Sequence, residues 1–469
     1  MNRFNSRYHR SGIRGGTLLA MVAALGFINL STAKAGGPID APESAEPRVP
    51  VAKCLSFPGL SASKGNGKSF TRVYKGDTLF SRDLLVVIPG FKVDVAPESD
   101  AVRLTLWGNL PGLSDSPVLE SSVVLHDSKT YDLDFTLVRG RVVIANTRKE
   151  GAAKVWMRTP LGVGVQITLP NPGDTIIEEI YGRWPAGVPF QPVAKPGHKP
   201  VQLWEIFCVK GKAEVKTPVL EYYLTEPPGA CYFHGDSVNG PSSAGPEKRE
   251  KAPDWWLNSR DPQLMNMISA VVASYLDRLK DKDPDEVGEE ILAQAEKEPN
   301  RLRGRLMRYL VVHAIAAHDD IGKVVEVLEH SKHDEMRKAA VVALRHWIGA
   351  REGRDQKLFQ AVQDHSGYTK SEAETLMQLL HSPFDPEQPE TYETLIAYLK
   401  HRKQAVRELA HWHLVRLAPV GRSLPFDSSA DGEARIKYAA EWKKLIPTGE
   451  LPKDPEEKPK ETEKEKDPN

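Results

Sequence analysis

The stretch LDFTLVRGRVVIAN at residues 133–146 decides the fold expected for the first half of the chain. From Leu133 to Leu137 every second residue is apolar, and Asp134 and Thr136 lie between them. Runs of the same kind are AVRLTLWG at 101–108, VQITL at 165–169 and QLWEIFCVKGKAEV at 202–215. Alternation at period two places successive side chains on opposite faces of a sheet, one buried and one wet. Many short strands without helical segments between them predict a β-sandwich or barrel-like domain.

The second half of the chain is expected to be helical. After Trp255 the apolar residues recur every three to four positions, which places them on one face of a helix. The stripes are Leu302, Leu306, Tyr309, Leu310, His313 and Ala317; Met336, Ala339, Ala340, Ala343, Leu344 and Trp347; and Val406, Leu409, Ala410, His413, Leu414 and Leu417. Asp261-Pro262 and Asp283-Pro284 predict helix starts, because each pairs an N-cap residue with a proline at the first helical position.

The helical half contains an internal echo. VVEVLEHSKHDEMRKAAVVALRHW at 324–347 resembles TLIAYLKHRKQAVRELAHWHLVRL at 394–417, about 70 residues later. The matched positions are Leu328 with Leu399, Arg337 with Arg407, Ala340 with Ala410 and Leu344 with Leu414. The pattern resembles HEAT-type repeats, which implies helix pairs stacked as an α-solenoid. The spacing exceeds one repeat, so a divergent unit is expected between the two.

Several pieces of the β half resemble the exported β domain of FecR-type regulators. They are DFTLVRGRVVIAN at 134–146, QITLPNPGDTIIEE at 166–179 and LWEIFCVKGKAEV at 203–215. The resemblance implies a β-rich extracytoplasmic sensor that signals through a membrane helix to a sigma-factor partner. This chain departs from that plan, because only about 16 residues precede its N-terminal apolar run, too few for a sigma-binding module.

The N-terminal segment has the three parts of a secretory signal peptide. Four arginines, the last of them Arg14, precede the apolar run TLLAMVAALGFINL, and the small-x-small site Ala33-Lys34-Ala35 follows. The run of about 14 residues is shorter than the roughly 20 needed to span a bilayer. We therefore expect cleavage after Ala35 and export to the periplasm or the extracellular space, without a membrane span. Retention of the run as an anchor is the alternative.

These patterns together predict a multidomain chain, all-β and then all-α. The expected layout is a signal peptide at 1–35, a flexible leader at 36–53, a β-rich FecR-like domain at 54–233, a linker at 234–253, an α-helical HEAT-like repeat domain at 254–447 and a disordered charged tail at 448–469. The leader, linker and tail are inferred from composition rich in glycine, proline and charge, with little to bury.

The overall charge and the short motifs of the chain limit the classes of ligand and reaction that are expected. The chain of 469 residues has 63 Lys+Arg and 63 Asp+Glu, so it has no overall field to hold phosphate backbones, and no nucleic-acid partner is expected. Ser61 and Lys64 have the spacing of penicillin-interacting enzymes, but the partner motifs SDN and KTG are absent. GNGKS at 65–69 ends like a phosphate-binding loop, but Ala62 replaces a required glycine. No catalytic residue and no cofactor are expected.

Carboxylates and tryptophans of the β half are candidates for contact with carbohydrate. Glycoside hydrolysis needs two carboxyl groups flanking the scissile bond. The carboxylates considered are Asp132, Asp134, Glu178 and Glu179. Glu178 and Glu179 are adjacent, so in a strand they are expected to face opposite ways. The tryptophans considered are Trp107, Trp156 and Trp184, with core packing as the alternative.

Cysteine and histidine supply the remaining candidates. Cys208 and Cys231 are candidates for a disulfide that leaves Cys54 free, and three idle thiols are the alternative. His330 and His333 are one turn apart, a spacing that suits two metal ligands on one face of a helix. No HExxH motif accompanies them, so histidines with a structural role are the alternative, and no metal site is assigned.

The helical repeats, together with the lack of a catalytic motif, favour one function over two others. The chain is expected to be a non-enzymatic exported interaction or scaffold protein of the cell envelope, with another envelope protein or a cell-wall polymer as partner. One alternative is an extracytoplasmic sensor or regulator with a FecR-like domain. The other is an envelope carbohydrate-binding protein.

Overall fold

The structure, a computed structural model, describes residues 48–453 except 57–59, 64–68, 112–116, 161, 163, 243, 258–260, 280–281 and 366. Several predicted features therefore lie outside the described residues: the signal peptide at 1–35, residues 36–47 of the leader, Lys64, residues 65–68 of the loop-like motif and residues 454–469 of the tail.

Strands occupy the first part of the described chain. They are β1 (Pro50–Cys54), β2 (Leu60–Ser63), β3 (Thr71–Val73), β4 (Thr78–Phe80), β5 (Leu84–Val87), β6 (Lys92–Ala96), β7 (Val102–Trp107), β8 (Ser121–His126), β9 (Leu133–Asn146), β10 (Ala153–Arg158), β11 (Gly164–Leu169), β12 (Thr175–Arg183), β13 (Val201–Lys210), β14 (Lys212–Lys216), β15 (Glu221–Thr225), β16 (Gly229–Asp236), β17 (Gly240–Pro241) and β18 (Glu247–Arg249). Hydrogen bonds join all of them into one mixed sheet. The prediction of a β-rich first half is confirmed.

Strand β9 connects two sets of strands. Its first half pairs with β8 and, in parallel, with β10, whereas its second half pairs with β7 and β12. The change falls at Gly140, whose φ is +94°. A Cβ at this position would lie 2.1 Å from the carbonyl oxygen of Glu120, so glycine permits both the backbone conformation and the close approach.

The sequence pattern of β9 predicted one wet face, and the structure differs. Nearly every residue of the strand is buried, including Arg141 in its second half. The reason is that other parts of the chain cover both faces, and Trp255 packs on the Arg141 side.

Helices follow from residue 254 onward. They are α1 (Asp254–Leu257), α2 (Pro262–Arg278), α3 (Pro284–Lys297), α4 (Arg301–Ala317), α5 (Ile321–His330), α6 (Asp334–Gly349), α7 (Arg354–His365), α8 (Lys370–His381), α9 (Pro389–Tyr398), α10 (Gln404–Leu417), a 3-10 helix at Pro419–Ser423, and α11 (Gly432–Leu445). The predicted starts of α2 and α3 at Pro262 and Pro284 are confirmed. In the described residues, no helix combines the length and apolar composition needed to cross a membrane.

The predicted apolar stripes are buried with one clear exception. The stripe of α6 is buried throughout, and that of α10 is buried up to Leu414. Leu302, predicted as the first stripe residue of α4, is 61% exposed. It lies in the first turn of α4, where the helical spacing continues but nothing in the described chain covers the side chain.

The internal echo has a structural counterpart. Arg337 lies in the first turn of α6 and donates to the Ser331 carbonyl at 3.1 Å, and Arg407 in the first turn of α10 donates to the His401 carbonyl at 2.6 Å. Each arginine therefore binds a carbonyl in the loop before its own helix. Helices α7 and α8 lie between the two pairs in sequence, where the divergent unit was expected. Helix α10 also contacts α5, which a strictly linear stack of neighbours would separate.

The sheet has an apolar core of its own, as the change of pattern predicted, but the core of the helices extends across the boundary into the sheet. Val86, Ile88 and Leu110 of the first part belong to the same apolar cluster as the helices. In the loop between β12 and β13, Trp184 Nε1 donates to the Ile348 carbonyl at 3.2 Å. Phe190 also belongs to the cluster, and its backbone N–H donates to Gln378 Oε1 at 3.0 Å while Gln378 Nε2 donates to its carbonyl at 3.1 Å.

A buried arginine also links the sheet to the helices across this boundary, through an ion pair and a hydrogen bond. Arg139 in β9 is ion-paired with Glu120 and donates through Nη2 to the Ala317 carbonyl at the end of α4, at 3.0 Å. Burial acts to raise the pKa of Glu120, but Arg139 and then His346 overcome it and hold that pKa far below its usual range. The carboxylate is therefore charged, and it balances the guanidinium inside the boundary.

Two segments predicted from composition to be unstructured carry strands. Strand β1 begins at Pro50, inside the predicted leader at 36–53, and pairs with β4 and β6. The predicted linker at 234–253 contains the end of β16, all of β17, and β18, which pairs with β16. Strand pairing uses backbone groups that every residue except proline carries in full, so a polar composition did not prevent it.

The closest backbone contact between sheet and helices gives a test of this boundary. A Cβ on Gly182 of β12 would lie 1.9 Å from the Gly349 carbonyl oxygen, and a Cβ on Gly349 would lie 2.6 Å from the Gly182 carbonyl oxygen. We expect Gly349→Ala to lower the free energy of unfolding by about 1–3 kcal/mol, because backbone atoms must move apart. Urea unfolding measures the change.

The matched control is Gly322→Ala in α5, where a Cβ meets nothing within 4 Å. That variant is expected to be neutral or stabilised by up to about 1 kcal/mol, because alanine favours the helix. Equal unfolding midpoints for both variants would show that the boundary is looser than described.

Candidate functional site

A pocket of about 330 Å³ lies where the chain passes from the sheet to the helices. We call it the Glu205 pocket, and its lining residues are Ile177, Glu179, Glu205, Phe207, Tyr232, Arg249, Glu250, Lys251, Ala252, Pro253, Asp254 and Trp255. Strands β12, β13 and β16 form its floor, and the segment from β18 to α1 forms its wall. Its size is at the lower end of small-molecule sites.

The register of the strands brings three charged residues into one row on the floor. Glu179 of β12 pairs with Arg141 of β9 on one side and with Glu205 of β13 on the other. Directly paired residues of antiparallel strands share a face, with Cβ atoms roughly 4.5–5.5 Å apart. Two carboxylates and one guanidinium therefore lie side by side.

Arg141 is the cation of this row and is completely buried. Its Nε donates to Glu179, and its guanidinium lies over Trp255 at 3.5 Å and near Trp107 at 5.1 Å. Within the described residues, Nη1 and Nη2 have no hydrogen-bond partner. The aromatic rings therefore supply much of the stabilisation of this charge, and burial lowers the pKa of Arg141.

Glu205 is the carboxylate of the row that forms no ion pair with any residue the structure describes. Its Oε1 accepts from the Tyr181 hydroxyl at 3.3 Å. Burial, and then the nearby charge of Glu179, raises the pKa of Glu205 to about 7. Near neutral pH this carboxyl group therefore exchanges between its acid and its anion, which suits it to binding a cation or a hydrogen-bond donor.

The other predicted carboxylates lie elsewhere. Glu178 faces the opposite side of the sheet from Glu179, as predicted, and accepts from Trp204 Nε1 at 3.2 Å. Burial raises its pKa well above the usual value, so it is a neutral core residue. Asp132 and Asp134 are ion-paired with Arg148 and Arg158 beside a separate pocket. The structure does not bring the four carboxylates together.

The three predicted tryptophans also have different surroundings. Trp107 is buried below the pocket and packs edge-on against Trp255, with ring centroids 5.3 Å apart. Trp184 is buried at the boundary with the helices. Trp156 is partly exposed and stacks on Tyr131. Only Trp107 contributes to the candidate site, and it does so through Arg141 and Trp255.

Sequence reasoning missed Glu205, Tyr232 and Trp255. A signal for Glu205 was available, because Leu203 and Phe207 flank it at period two in LWEIF, so a carboxylate interrupts an apolar face. Tyr232 had no such signal. Trp255 marked only the start of the helical half, and its position over Arg141 depends on the path of the chain after β18.

Ser61 has a different partner from the one its spacing suggested. Its hydroxyl lies 2.8 Å from His318 Nε2, and His318 Nδ1 lies 2.8 Å from the Ala314 carbonyl. Burial lowers the pKa of His318 to about 4, so the imidazole is neutral. Both side chains are buried, and their hydrogen bond ties β2 to the end of α4.

The predicted histidine pair does not lie on one helix face. Helix α5 ends at His330, and His333 is the N-cap residue of α6, so a turn separates them. A spacing of three residues places two side chains on one face only where the helix continues, and α5 ends at His330. His333 Nε2 lies 2.6 Å from Glu296 Oε1 instead. The described residues contain no cluster of three or more histidine, cysteine or acidic side chains able to hold a metal ion.

The cysteines are buried free thiols in the structure. Phe207 of β13 pairs with Tyr232 of β16 in antiparallel register. Cys208 follows Phe207 and Cys231 precedes Tyr232, so the two cysteines lie opposite each other on neighbouring strands. Burial raises the pKa of Cys208 to about 12. The disulfide between them stays a prediction.

In comparisons with protein-family models, curated proteins and solved structures, none matches this chain. The FecR-type and HEAT-type resemblances therefore stay predictions.

The raised pKa of Glu205 predicts a dependence of stability on pH. A carboxyl whose pKa is higher in the folded than in the unfolded chain stabilises the fold below its ordinary pKa, and this stability is lost as pH rises through about 7. Glu205→Gln cannot ionise. Between pH 5 and pH 8, we expect the variant to gain about 2 kcal/mol of unfolding free energy relative to the wild type.

Urea unfolding at several pH values measures this difference. The control is Glu221→Gln, which changes an exposed carboxylate on β15 and is expected to follow the wild type. Parallel pH curves for the wild type and Glu205→Gln would contradict the assignment of Glu205.

Proposed function

We propose that this chain is an exported, non-enzymatic interaction protein of the cell envelope, and that the Glu205 pocket is where it binds its ligand. The observation that carries the proposal is Glu205, a largely buried carboxylate that opens onto a pocket and forms no ion pair within the described part of the chain. A buried charge without a partner costs free energy, and a ligand that pairs with it recovers that cost.

A binding role also agrees with how the two carboxylates are held. Glu179 is ion-paired with the buried Arg141, and Glu205 accepts a hydrogen bond from Tyr181. Both groups are thereby oriented before any ligand arrives, and such preorganisation favours affinity. The proposal includes a β-sandwich or barrel-like domain of the FecR type for the sheet and HEAT-like pairing for the helices. The two matched arginine–carbonyl contacts of Arg337 and Arg407 support the latter.

An envelope carbohydrate-binding protein is the second candidate. Phe207, Tyr232 and Trp255 line the same pocket as the two carboxylates. Aromatic rings stack on sugar rings, and carboxylates accept hydrogen bonds from hydroxyl groups. This candidate and the first share the pocket and differ in the chemistry of the ligand.

The test compares how much ligand is captured by the wild type, whose pocket is open, and by a variant whose pocket is filled by a larger side chain. The exported protein is purified, immobilised and incubated with envelope extract, and the retained compounds are identified by mass. Glu250→Trp places an indole among the lining residues, so we expect it to reduce retention of the ligand at least tenfold. Lys248→Trp is the matched control on β18, outside the lining, and is expected to retain the ligand as the wild type does.

A compound retained equally by all three proteins would place binding outside the pocket and contradict the proposal. Failure of any compound to be retained by the wild type would contradict it as well.

A further inference from the structure

The floor of the Glu205 pocket has an excess of one negative charge when both carboxylates are ionised. Arg141 binds Glu179, and no ion pair with Glu205 is found among the described residues. Tyr181 supplies a neutral hydrogen bond, at 3.3 Å, that does not cancel the charge. The excess therefore faces the pocket.

The other charged groups around Glu205 do not remove this excess. On the wall, Arg249 is ion-paired with Glu247, and Lys251 is ion-paired with Asp254 at 2.6 Å. Glu250 adds a further negative charge to the lining. On the floor, His234 of β16 is the strand neighbour of Glu205, and its Nδ1 lies 3.5 Å from Glu247 Oε1.

Aromatic side chains surround the same carboxylate. Phe207 and Tyr232 are directly paired on β13 and β16, with ring centroids 5.8 Å apart, and Trp255 lines the wall. The Arg249 guanidinium already lies over the Tyr232 ring, 4.7 Å from its centroid, so Phe207 and Trp255 are the rings left for a ligand. The faces of aromatic rings attract cations, and a carboxylate beside them adds a direct counter-ion. Arg141 already shows this chemistry inside the fold, because it lies between Trp255 and Glu179.

On the basis of the proposed binding function, we infer that the Glu205 pocket binds an alkylammonium group, with the Glu205 carboxylate as its counter-ion and Phe207 and Trp255 as its aromatic walls. The group belongs either to a free primary amine or to a lysine side chain of a partner. A pocket of about 330 Å³ admits a single side chain of this kind, not a folded domain.

Binding of a cation at this place is coupled to a proton. The ammonium group needs the ionised form of Glu205, so binding strengthens as pH rises through the pKa of this carboxyl, which is about 7. For one titrating carboxyl the affinity at pH 6 is expected to be about tenfold lower than at pH 8.

The experiment measures binding of n-butylammonium chloride to the full chain by calorimetry or ligand-detected NMR at pH 6 and pH 8. The neutral control ligand is n-pentanol, and the lysine arm uses a short N-acetylated, C-amidated peptide with one lysine. We expect butylammonium to bind at pH 8, pentanol to bind at least tenfold more weakly, and Glu205→Gln to weaken butylammonium at least tenfold and flatten its pH dependence.

Comparison of the two cationic probes identifies the source of the group. Tighter binding of the peptide points to a lysine on a partner, and equal or weaker binding points to a free amine. Glu221→Gln should bind as the wild type does, and circular dichroism of Glu205→Gln checks that the variant is folded.

Two results would overturn the inference: equal binding of pentanol and butylammonium, or unchanged butylammonium binding by Glu205→Gln. If envelope extract yields a neutral ligand that Glu250→Trp loses, the binding function stands and only the ammonium assignment is wrong. If the wild type retains nothing from the extract and neither probe binds, both fail.

Discussion

The arrangement of sheet and helices depends on the contacts of one buried guanidinium, that of Arg139. It is ion-paired with Glu120, the residue just before β8, and donates to the carbonyl of Ala317 at the end of α4. A buried ion pair stabilises a structure only while both partners and their remaining hydrogen bonds are in place. The helices can therefore pack on this edge of the sheet only in an orientation that presents the end of α4 to Arg139.

The Arg139 contact acts together with a backbone contact that leaves no space for side chains. Gly182 of β12 and Gly349 of α6 approach so closely that a Cβ on either would overlap the carbonyl of the other. The Arg139 contact requires a charged partner and a carbonyl at fixed positions, and the glycine contact requires two backbones without side chains between them. Together the two contacts hold the sheet and the helices against each other, although the sequence patterns of the two halves differ completely.

The same strands that form this boundary also create the candidate site. In β9, Arg139 faces the helices near Gly140, and Arg141 lies two residues further along, below Trp255. Glu179 then neutralises Arg141, and Glu205 on the next strand is left without an ion-pair partner in the ranges that the structure describes. The pocket chemistry is thus a consequence of placing two glutamates and one arginine in a single cross-strand row.

The sequence by itself determined the local elements. Period-two alternation located β9, proline after aspartate located the starts of α2 and α3, and the stripe of α6 identified its buried face. These features follow from interactions between residues close in the chain, so a single sequence records them. Where a local pattern was extended beyond its element, as for His330 with His333, it failed.

Only the tertiary structure decided which distant residues meet. The row of Arg141, Glu179 and Glu205 depends on strand register, and the position of Trp255 depends on the path of the chain after β18. The strands at Pro50 and at Glu247–Arg249 depend on backbone partners that composition does not encode. Long-range pairing is a property of the whole fold, because each strand's partner is chosen by the burial of every other strand.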